Sequence, residues 1–257
     1  MKLEDVLGPA VPVLFFAMMG IEALVPARSF APIRRWRLIG VAFMLMMGVL
    51  GAVLPLLLNQ DWLAAHRLMD LSGLGVAGGA VVGFLVLSLL NYAYHRACHR
   101  FGLLWRLFHQ LHHSPARVDM AGAALFHPLD GLMYSLTTPL VGVLVLGLDP
   151  RAAALSGFIA VFYSFFQHWN VRTPRWLGYL IQRPEAHCVH HQYGVHAWNY
   201  SDFPLWDMLF GSFRNPATWE GRAGFDAEAS RRIGAMLLFQ DVNPPQREAS
   251  ILGVQNT

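Results

Sequence analysis

Residues 71–99 read LSGLGVAGGAVVGFLVLSLLNYAYHRACH, a long apolar run that ends in two histidines four positions apart. The part from 71 to 94 contains no charged residue, and a membrane-spanning helix needs about 20 mostly apolar residues. In a helix, residues four positions apart lie on the same face. This segment therefore predicts a membrane span with a pair of imidazoles at the point where the span leaves the bilayer.

Other apolar runs accompany it. Residues 6–25 and 38–58 are each long enough to span, and in the first of them Glu22 is the one charged residue, near the end. Runs 131–148 and 152–167 are marginal in length. Since 55% of the chain is hydrophobic and only 14% charged, against about 25% charged in soluble domains, we predict an all-α integral membrane protein with about three to five transmembrane helices.

The loops predict the orientation of these helices. Arginine-rich short loops stay in the cytoplasm, and the loop after the first run contains four arginines, whereas loop 59–70 has one arginine against two aspartates. The run at 71–94 then returns to the cytoplasm at its end. The break at 149–151, Asp-Pro-Arg, predicts a tight hairpin, which brings the chain after 167 to the same side. We expect a bacterial inner membrane protein with a cytoplasmic helical cap.

The histidines supply the chemical signal. The chain has 12, and most fall into three groups at helical spacing: His95 and His99; His109, His112 and His113; His187, His190 and His191. Neutral imidazole is a common metal ligand. Because a single metal site takes about four protein ligands, eight clustered histidines suit a di-metal site. Copper, iron, zinc and nickel all accept imidazole, so ligand type does not choose among them.

Isolated histidines and the cysteines need separate interpretation. His168 and His127 lie at the predicted membrane boundary beside the groups, and we expect both to be ligands. His196 is expected to be a solvated loop residue rather than a neighbour of the ligands. Cys98 and Cys188 lie between ligands, and we interpret them as small spacers facing away from the metal rather than as thiolate ligands.

The ordered motifs resemble those of the fatty acid hydroxylase and sterol desaturase superfamily of membrane di-iron oxygenases. Residues 95–213 match its His-x3-His, His-x2-His-His and second His-x2-His-His patterns in order. Two looser stretches also match, His127-Pro-Leu-Asp130 and residues 199–213. Asp130, Ser201 and Met208 depart from the residues common there, and none of them is a ligand in the motif.

The resemblance implies two irons, O2 as co-substrate, a lipid that enters from the bilayer, and an external electron donor such as a reductase, ferredoxin or cytochrome. It implies hydroxylation or desaturation of a fatty acyl chain, a sterol or isoprenoid, or a polar lipid. We expect no catalytic side chain beyond the ligands, and no organic cofactor. Asp130, Asn199 and Asp202 are expected to orient the ligand rings by hydrogen bonds. With a net charge of +3 and scattered basic residues, we expect no nucleic-acid partner.

The predicted organisation is a single membrane domain, with transmembrane helices in 1–94, the catalytic region in 95–213 and a polar tail in 214–257. Two alternative functions remain. A zinc-dependent membrane hydrolase would need a general base beside the histidines, and the sequence has no His-Glu-x-x-His. A metal-binding membrane protein without oxygenase activity, such as a transporter, would place ionisable residues inside its spans, and these spans are nearly free of charge.

Overall fold

The structure of the chain is a computed structural model that describes residues 3–243. The long helices are α1 (Leu3–Leu24), α2 (Trp36–Val53), α4 (Gly75–Arg100), α7 (Pro128–Pro139) and α8 (Pro150–His168). The shorter ones are α3 (Gln60–Ala65), α5 (Gly102–Leu104), α6 (Gln110–His113), α9 (Pro184–His190), α10 (Leu205–Leu209), α11 (Ala227–Ser230) and α12 (Ile233–Leu237). Within residues 3–243 the only β-pairing is an isolated bridge between Gln192 and Ala223. The predicted helical fold class is confirmed.

Four segments are long and apolar enough to cross a membrane: Val6–Leu24, Trp36–Leu57, Ser72–Arg100 and Pro128–Val145. In the second and fourth, α2 and α7 are extended by a 3-10 turn at Leu54–Leu57 and a π-helical turn at Leu140–Val145. The chain is therefore an integral membrane protein, and the prediction of three to five spans is confirmed. The last predicted run forms α8, which lies outside these four segments.

The third span is longer than its apolar run. Helix α4 continues past residue 94 and ends at Arg100, so His95 and His99 lie on its last turns. Arg100 lies in the last turn, where a positive charge interacts favourably with the helix dipole. The first two histidines are thus rigidly connected to a membrane span.

Small residues bring α4 and α8 into close contact. A Cβ added at Gly79 would lie 2.8 Å from the Cβ of Ala152, and one added at Gly83 would lie 2.8 Å from the Oγ of Ser156. The second contact pair lies four residues after the first in both helices, so the two helices run parallel. His95 and His168 each follow the second pair by twelve residues, about 18 Å along a helix, and therefore reach the same height.

In the chain, helix α7 lies between α4 and α8 and leads back across the bundle to the start of α8. The Asp149 side chain accepts a hydrogen bond from the Arg151 backbone N–H at 2.8 Å and caps α8, so the predicted hairpin is present. Helix α1 packs on α8 through Phe15 and Phe165, whose ring centroids are 5.6 Å apart. The helices therefore deliver the ends of α4 and α8 and the start of α7 to one side of the molecule.

A cap of short helices covers that side. Its core is a buried cluster formed by Trp36, Trp105, Leu111, Ala121, Leu125, Phe225, Met236 and Val242. Phe225 and Met236 lie in the segment predicted as a polar tail, yet both are completely buried. The sequence did not reveal this burial, because apolar residues at wide spacing leave no periodic signal. Residues 244–257 of that tail lie outside the described residues.

Glu22, near the end of α1, connects the spans to the cap. Its carboxylate accepts hydrogen bonds from the backbone N–H of Met120 at 2.9 Å and of Asn170 at 3.0 Å. The side chain is buried rather than extended into the interface. This charge in an apolar run therefore fixes two cap loops to the first span.

Candidate metal centre

Nine buried histidines meet at the ends of the helices in two groups. The first group is His95, His99, His109, His113 and His190, and the second group is His112, His168, His187 and His191. Within each group the candidate ligand nitrogens all lie within 4.8 Å of one another. All eight histidines of the three sequence motifs are thus brought together with His168.

Each His-x2-His-His motif contributes to both groups. Around α6, His109 and His113 face the first group and His112 faces the second. Around α9 the assignment is reversed, since His187 and His191 face the second group while His190 faces the first. Residues four apart share a helix face, which explains why the outer pair of each motif stays together. The two groups are therefore interleaved.

A π-helical turn precedes α6. Residues Trp105–His109 form this turn, and Trp105 is buried against the rings of His99 and His113, with centroid distances of 5.3 Å to both. Single π turns occur often at functional sites. Here the turn ends at His109 and leads directly into α6, which contains the next two candidate ligands.

Backbone carbonyls determine which ring nitrogen faces each group. The Nδ1 atoms of His95, His190 and His168 lie 2.6, 2.6 and 2.7 Å from the carbonyl oxygens of Tyr200, Trp198 and Ser164. A carbonyl oxygen only accepts hydrogen bonds, so Nδ1 of a neutral ring carries the proton and Nε2 carries the lone pair. In these three rings the free lone pair points away from the carbonyl.

The Nε2 atoms converge. His168 Nε2 lies 3.2 Å from His112 Nε2 and 3.0 Å from His187 Nε2, and His95 Nε2 lies 3.2 Å from His99 Nε2. Ligands bound about 2.1 Å from a common metal are separated by about 3 Å. Buried lone pairs at this separation, including the unpartnered Nε2 of His190, fit a cation. The residues present therefore fit a metal ion in each group.

Burial keeps the rings neutral. It lowers the pKa well below the usual histidine value, and repulsion from neighbouring rings lowers it further, for the six candidate ligands carried by the cap: His109, His112, His113, His187, His190 and His191. Neutral imidazole is the form that binds metals. Near neutral pH, metal binding at these six rings does not require the loss of protons.

His127 is not brought into either group. It precedes α7, where its Nδ1 accepts a hydrogen bond from the backbone N–H of Leu129 at 3.1 Å, and its Nε2 lies 3.3 Å from the carbonyl oxygen of Leu237. One ring nitrogen therefore caps the start of α7, and the other contacts the backbone of α12. His127 therefore lies outside both groups.

His196 was expected in solvent, and this expectation is wrong. It is 4% exposed, and its Nδ1 lies 3.0 Å from the Nδ1 of the candidate ligand His113. Since it lies in a loop, helical spacing gives no signal for it. His66 is exposed and stacks on Trp62. Cys98 and Cys188 are buried free thiols outside both groups.

The three side chains expected to orient the rings do not hydrogen-bond to them. Asp130 accepts a hydrogen bond from the Tyr94 hydroxyl at 2.6 Å, and its other oxygen is 3.9 Å from His109 Nδ1. Asp202 accepts from Asn91 and Gln167, and Asn199 bonds to backbone atoms of the cap. Main-chain carbonyls instead orient His95, His190 and His168. A pattern of side chains in the sequence cannot reveal such contacts.

This arrangement defines a helical membrane protein with a candidate dinuclear centre made of imidazoles. The chain belongs to the fatty acid hydroxylase family, whose model matches residues 80–212. The matched region contains every histidine of both groups, and the expected resemblance is confirmed.

Three relatives illustrate the family. A very-long-chain aldehyde decarbonylase of Oryza sativa subsp. indica is 32% identical over 140 residues, 51% of this chain and 53% of the relative. Sphinganine C4-monooxygenase 1 of Arabidopsis thaliana is 26% identical over 66% of this chain and 67% of its own. Lathosterol oxidase of Mus musculus is 30% identical over 56% and 48%. The chain thus spans about half the length of the first and third relatives. No solved structure matches it significantly.

Proposed function

We propose that the chain is an oxygen-dependent di-iron oxidase of the membrane that hydroxylates or desaturates a lipid. The observation that carries the proposal is the convergence of nine buried imidazoles into two adjacent groups at the ends of membrane helices. The relatives named above are a monooxygenase, an oxidase and a decarbonylase, and these names support the same class of chemistry.

Iron is the metal that fits the proposed reaction. No side chain attacks an unactivated C–H bond, and zinc, which also binds imidazole, has no redox chemistry. A bound iron pair supplies oxygen binding and electron transfer. The chain itself supplies neutral imidazole ligands. In His95, His190 and His168, Nε2 would bind the metal while Nδ1 is held by a backbone carbonyl.

The two outcomes differ in their products. In hydroxylation one oxygen atom enters the C–H bond, and the other is reduced to water by two electrons and two protons from the donor. In desaturation two hydrogens leave the lipid, two electrons and two protons come from the donor, and both oxygen atoms become water. Either reaction needs an external electron donor, which we propose to be a reductase, ferredoxin or cytochrome.

The position of the site favours a substrate that stays in the membrane. The histidines of α4 and α8 lie at the ends of helices that pack in the apolar region, and the ring of His112 stacks on Phe126 with a centroid distance of 4.4 Å. We propose that the lipid enters sideways from the bilayer, and that a single membrane domain holds the centre under a cap on the cytoplasmic side of a bacterial inner membrane. Arginine-rich residues 28–37 support this orientation.

Lipid analysis tests the function. Cells that express the chain and cells that do not are grown with and without air, and their lipid extracts are compared by mass. We expect a lipid that gains one oxygen or loses two hydrogens, only with the chain and only in air. The variant His112→Ala should lose this product, whereas His66→Ala, a change of the exposed histidine far from the site, should retain it. The same lipids in all samples would contradict the proposal.

A further inference from the structure

Residues 196–201 run along the outer side of the first group. Three of its five rings have their Nδ1 atom against this segment: His113 against His196 Nδ1 at 3.0 Å, His190 against the Trp198 carbonyl at 2.6 Å, and His95 against the Tyr200 carbonyl at 2.6 Å. These rings come from α4, α6 and α9. A single six-residue segment therefore contacts ligands from three separate elements.

The segment has an unusual backbone. His196, Trp198 and Asn199 have φ values of 43°, 69° and 47°, in the left-handed region that non-glycine residues rarely adopt. Strained residues persist where their surroundings hold them, and they concentrate at functional sites. Three of them within four positions indicate a conformation that other parts of the fold must maintain.

Two buried side chains hold this conformation. Asp207 accepts hydrogen bonds from the backbone N–H of Tyr200 at 2.8 Å and of Ser201 at 2.7 Å. The Asn199 amide donates to the carbonyls of Ala186 and Arg214, both at 2.9 Å. The hydrogen bonds of Asp207 and Asn199 go to main-chain atoms and to Ser212 rather than to a candidate ligand ring, so we expect their effect on the metal to pass through the segment.

The hydrogen bond between His113 and His196 has a defined direction. His113 Nε2 lies 3.1 Å from the Nε2 of His109 and faces the group, so a neutral His113 that offers this nitrogen to a metal carries its proton on Nδ1. His113 Nδ1–H then donates to His196 Nδ1. The ring of His196 acts as a fixed acceptor, packed against Trp105 and Phe225.

We propose that residues 196–201 form a positioning bracket that presets the first group for its metal, and that His196 and Asp207 are positioning residues of that bracket. The inference rests on the proposed dinuclear centre. Groups that hydrogen-bond to metal ligands fix ring orientation, and their loss typically lowers metal affinity about 10- to 100-fold. The second group is held differently, since His168 is bonded to the Ser164 carbonyl of its own helix and His112 lies against the backbone of Leu125.

Iron release tests the bracket without any turnover. The full chain, purified in detergent and loaded anaerobically with Fe(II), is mixed with an excess of a chromogenic Fe(II) chelator. We expect two phases of about equal amplitude, with the slow phase from the first group. The variant His187→Ala, which removes a ligand of the second group, should lose the fast phase and keep the slow one.

Two pairs of variants then separate positioning from packing. His196→Leu should accelerate the slow phase about tenfold or more, whereas His196→Asn, whose side-chain oxygen can take the place of Nδ1, should restore slow release. Asp207→Asn should also accelerate the slow phase, because its amide N–H groups oppose the backbone donors. Asp202→Asn is the matched control, as this buried aspartate bonds to Asn91 and Gln167, and it should leave both phases unchanged.

Several results would overturn the bracket. They are an unchanged slow phase in His196→Leu, equally fast release from His196→Asn and His196→Leu, or equal acceleration by the two aspartate variants. Thermal unfolding of each variant identifies one that does not fold, and the His196 pair then decides alone. A chain that shows this release pattern but oxidises no lipid would contradict the proposed function and leave the bracket intact.

Discussion

The two histidine groups are built from the same sequence motifs but are held in different ways. In the first group, three of five rings have an Nδ1 partner in residues 196–201. In the second group, the Nδ1 atom of His187 is buried without a partner, His112 lies against the backbone of Leu125, and His168 is bonded to its own helix. Fewer protein ligands leave room for an exogenous ligand. The comparison therefore distinguishes a preset site from a more adaptable one.

The largest expected effect is the loss of a ligand from either group. His190→Ala in the first group and His112→Ala in the second should each lower lipid oxidation by more than about 100-fold, beyond the effect of losing an outer hydrogen bond. Both should still insert in the membrane, since each change lies outside the spans. Product formation by mass spectrometry, normalised to membrane-inserted protein, measures this, and substantial turnover in both variants would contradict the two-group account.

A smaller effect should distinguish the two groups. His168→Ala leaves the second group with three imidazoles and should reduce the iron content from about two to about one per chain, because losing a ligand should lower metal affinity by more than the roughly 10- to 100-fold that follows the loss of an outer hydrogen bond. Elemental analysis after desalting measures this content. If His168→Ala lost both ions, the groups would depend on each other, and the comparison between them would fail.

A packing variant tests how the groups are aligned. Gly83→Val places side-chain atoms within 2.8 Å of Ser156 Oγ and should destabilise the protein by about 1–3 kcal/mol. Because α4 carries His95 and α8 carries His168, iron content should also fall. The matched variant Gly48→Val adds the same atoms where nothing lies within 4 Å of the new Cβ. Equal thermal unfolding temperatures in detergent for the two variants would contradict the parallel α4–α8 contact.

The smallest expected effect is at His127, which lies outside both groups. His127→Ala removes the side-chain cap of α7 and should cost about 1 kcal/mol of stability, while the iron content stays at its original value. Thermal unfolding and elemental analysis on one preparation measure both quantities. The loss of one iron would show that this histidine is a ligand and that the boundary of the first or second group must be redrawn.

Much of this architecture could be predicted because its signals are local. Uncharged runs of sufficient length indicate the spans, and histidines at intervals of three and four indicate shared helix faces, so the eight clustered residues could be identified. The same periodicity does not separate His112 from His113, whose division between two groups depends on how α6 and α9 face each other. His127 was drawn into the predicted set by its position at a membrane boundary, where it serves as a helix cap.

The features that were missed depend on the main chain or on distant packing. The carbonyls of Trp198 and Tyr200 act through backbone atoms that every residue has, so no residue type marks them. His196 lies in a left-handed loop without periodicity. Phe225 and Met236 are apolar residues in an otherwise polar stretch, and their burial beside Trp105 depends on the assembled cap.

The most direct measurement is the metal content and ligation of the purified chain. Elemental analysis should give about two irons per chain, and X-ray absorption at the iron edge should show a first shell of light atoms dominated by imidazole nitrogens, at about 2.1 Å by analogy with other imidazole-bound metals. A single tightly held zinc, or iron with sulfur in its first shell, would contradict the account.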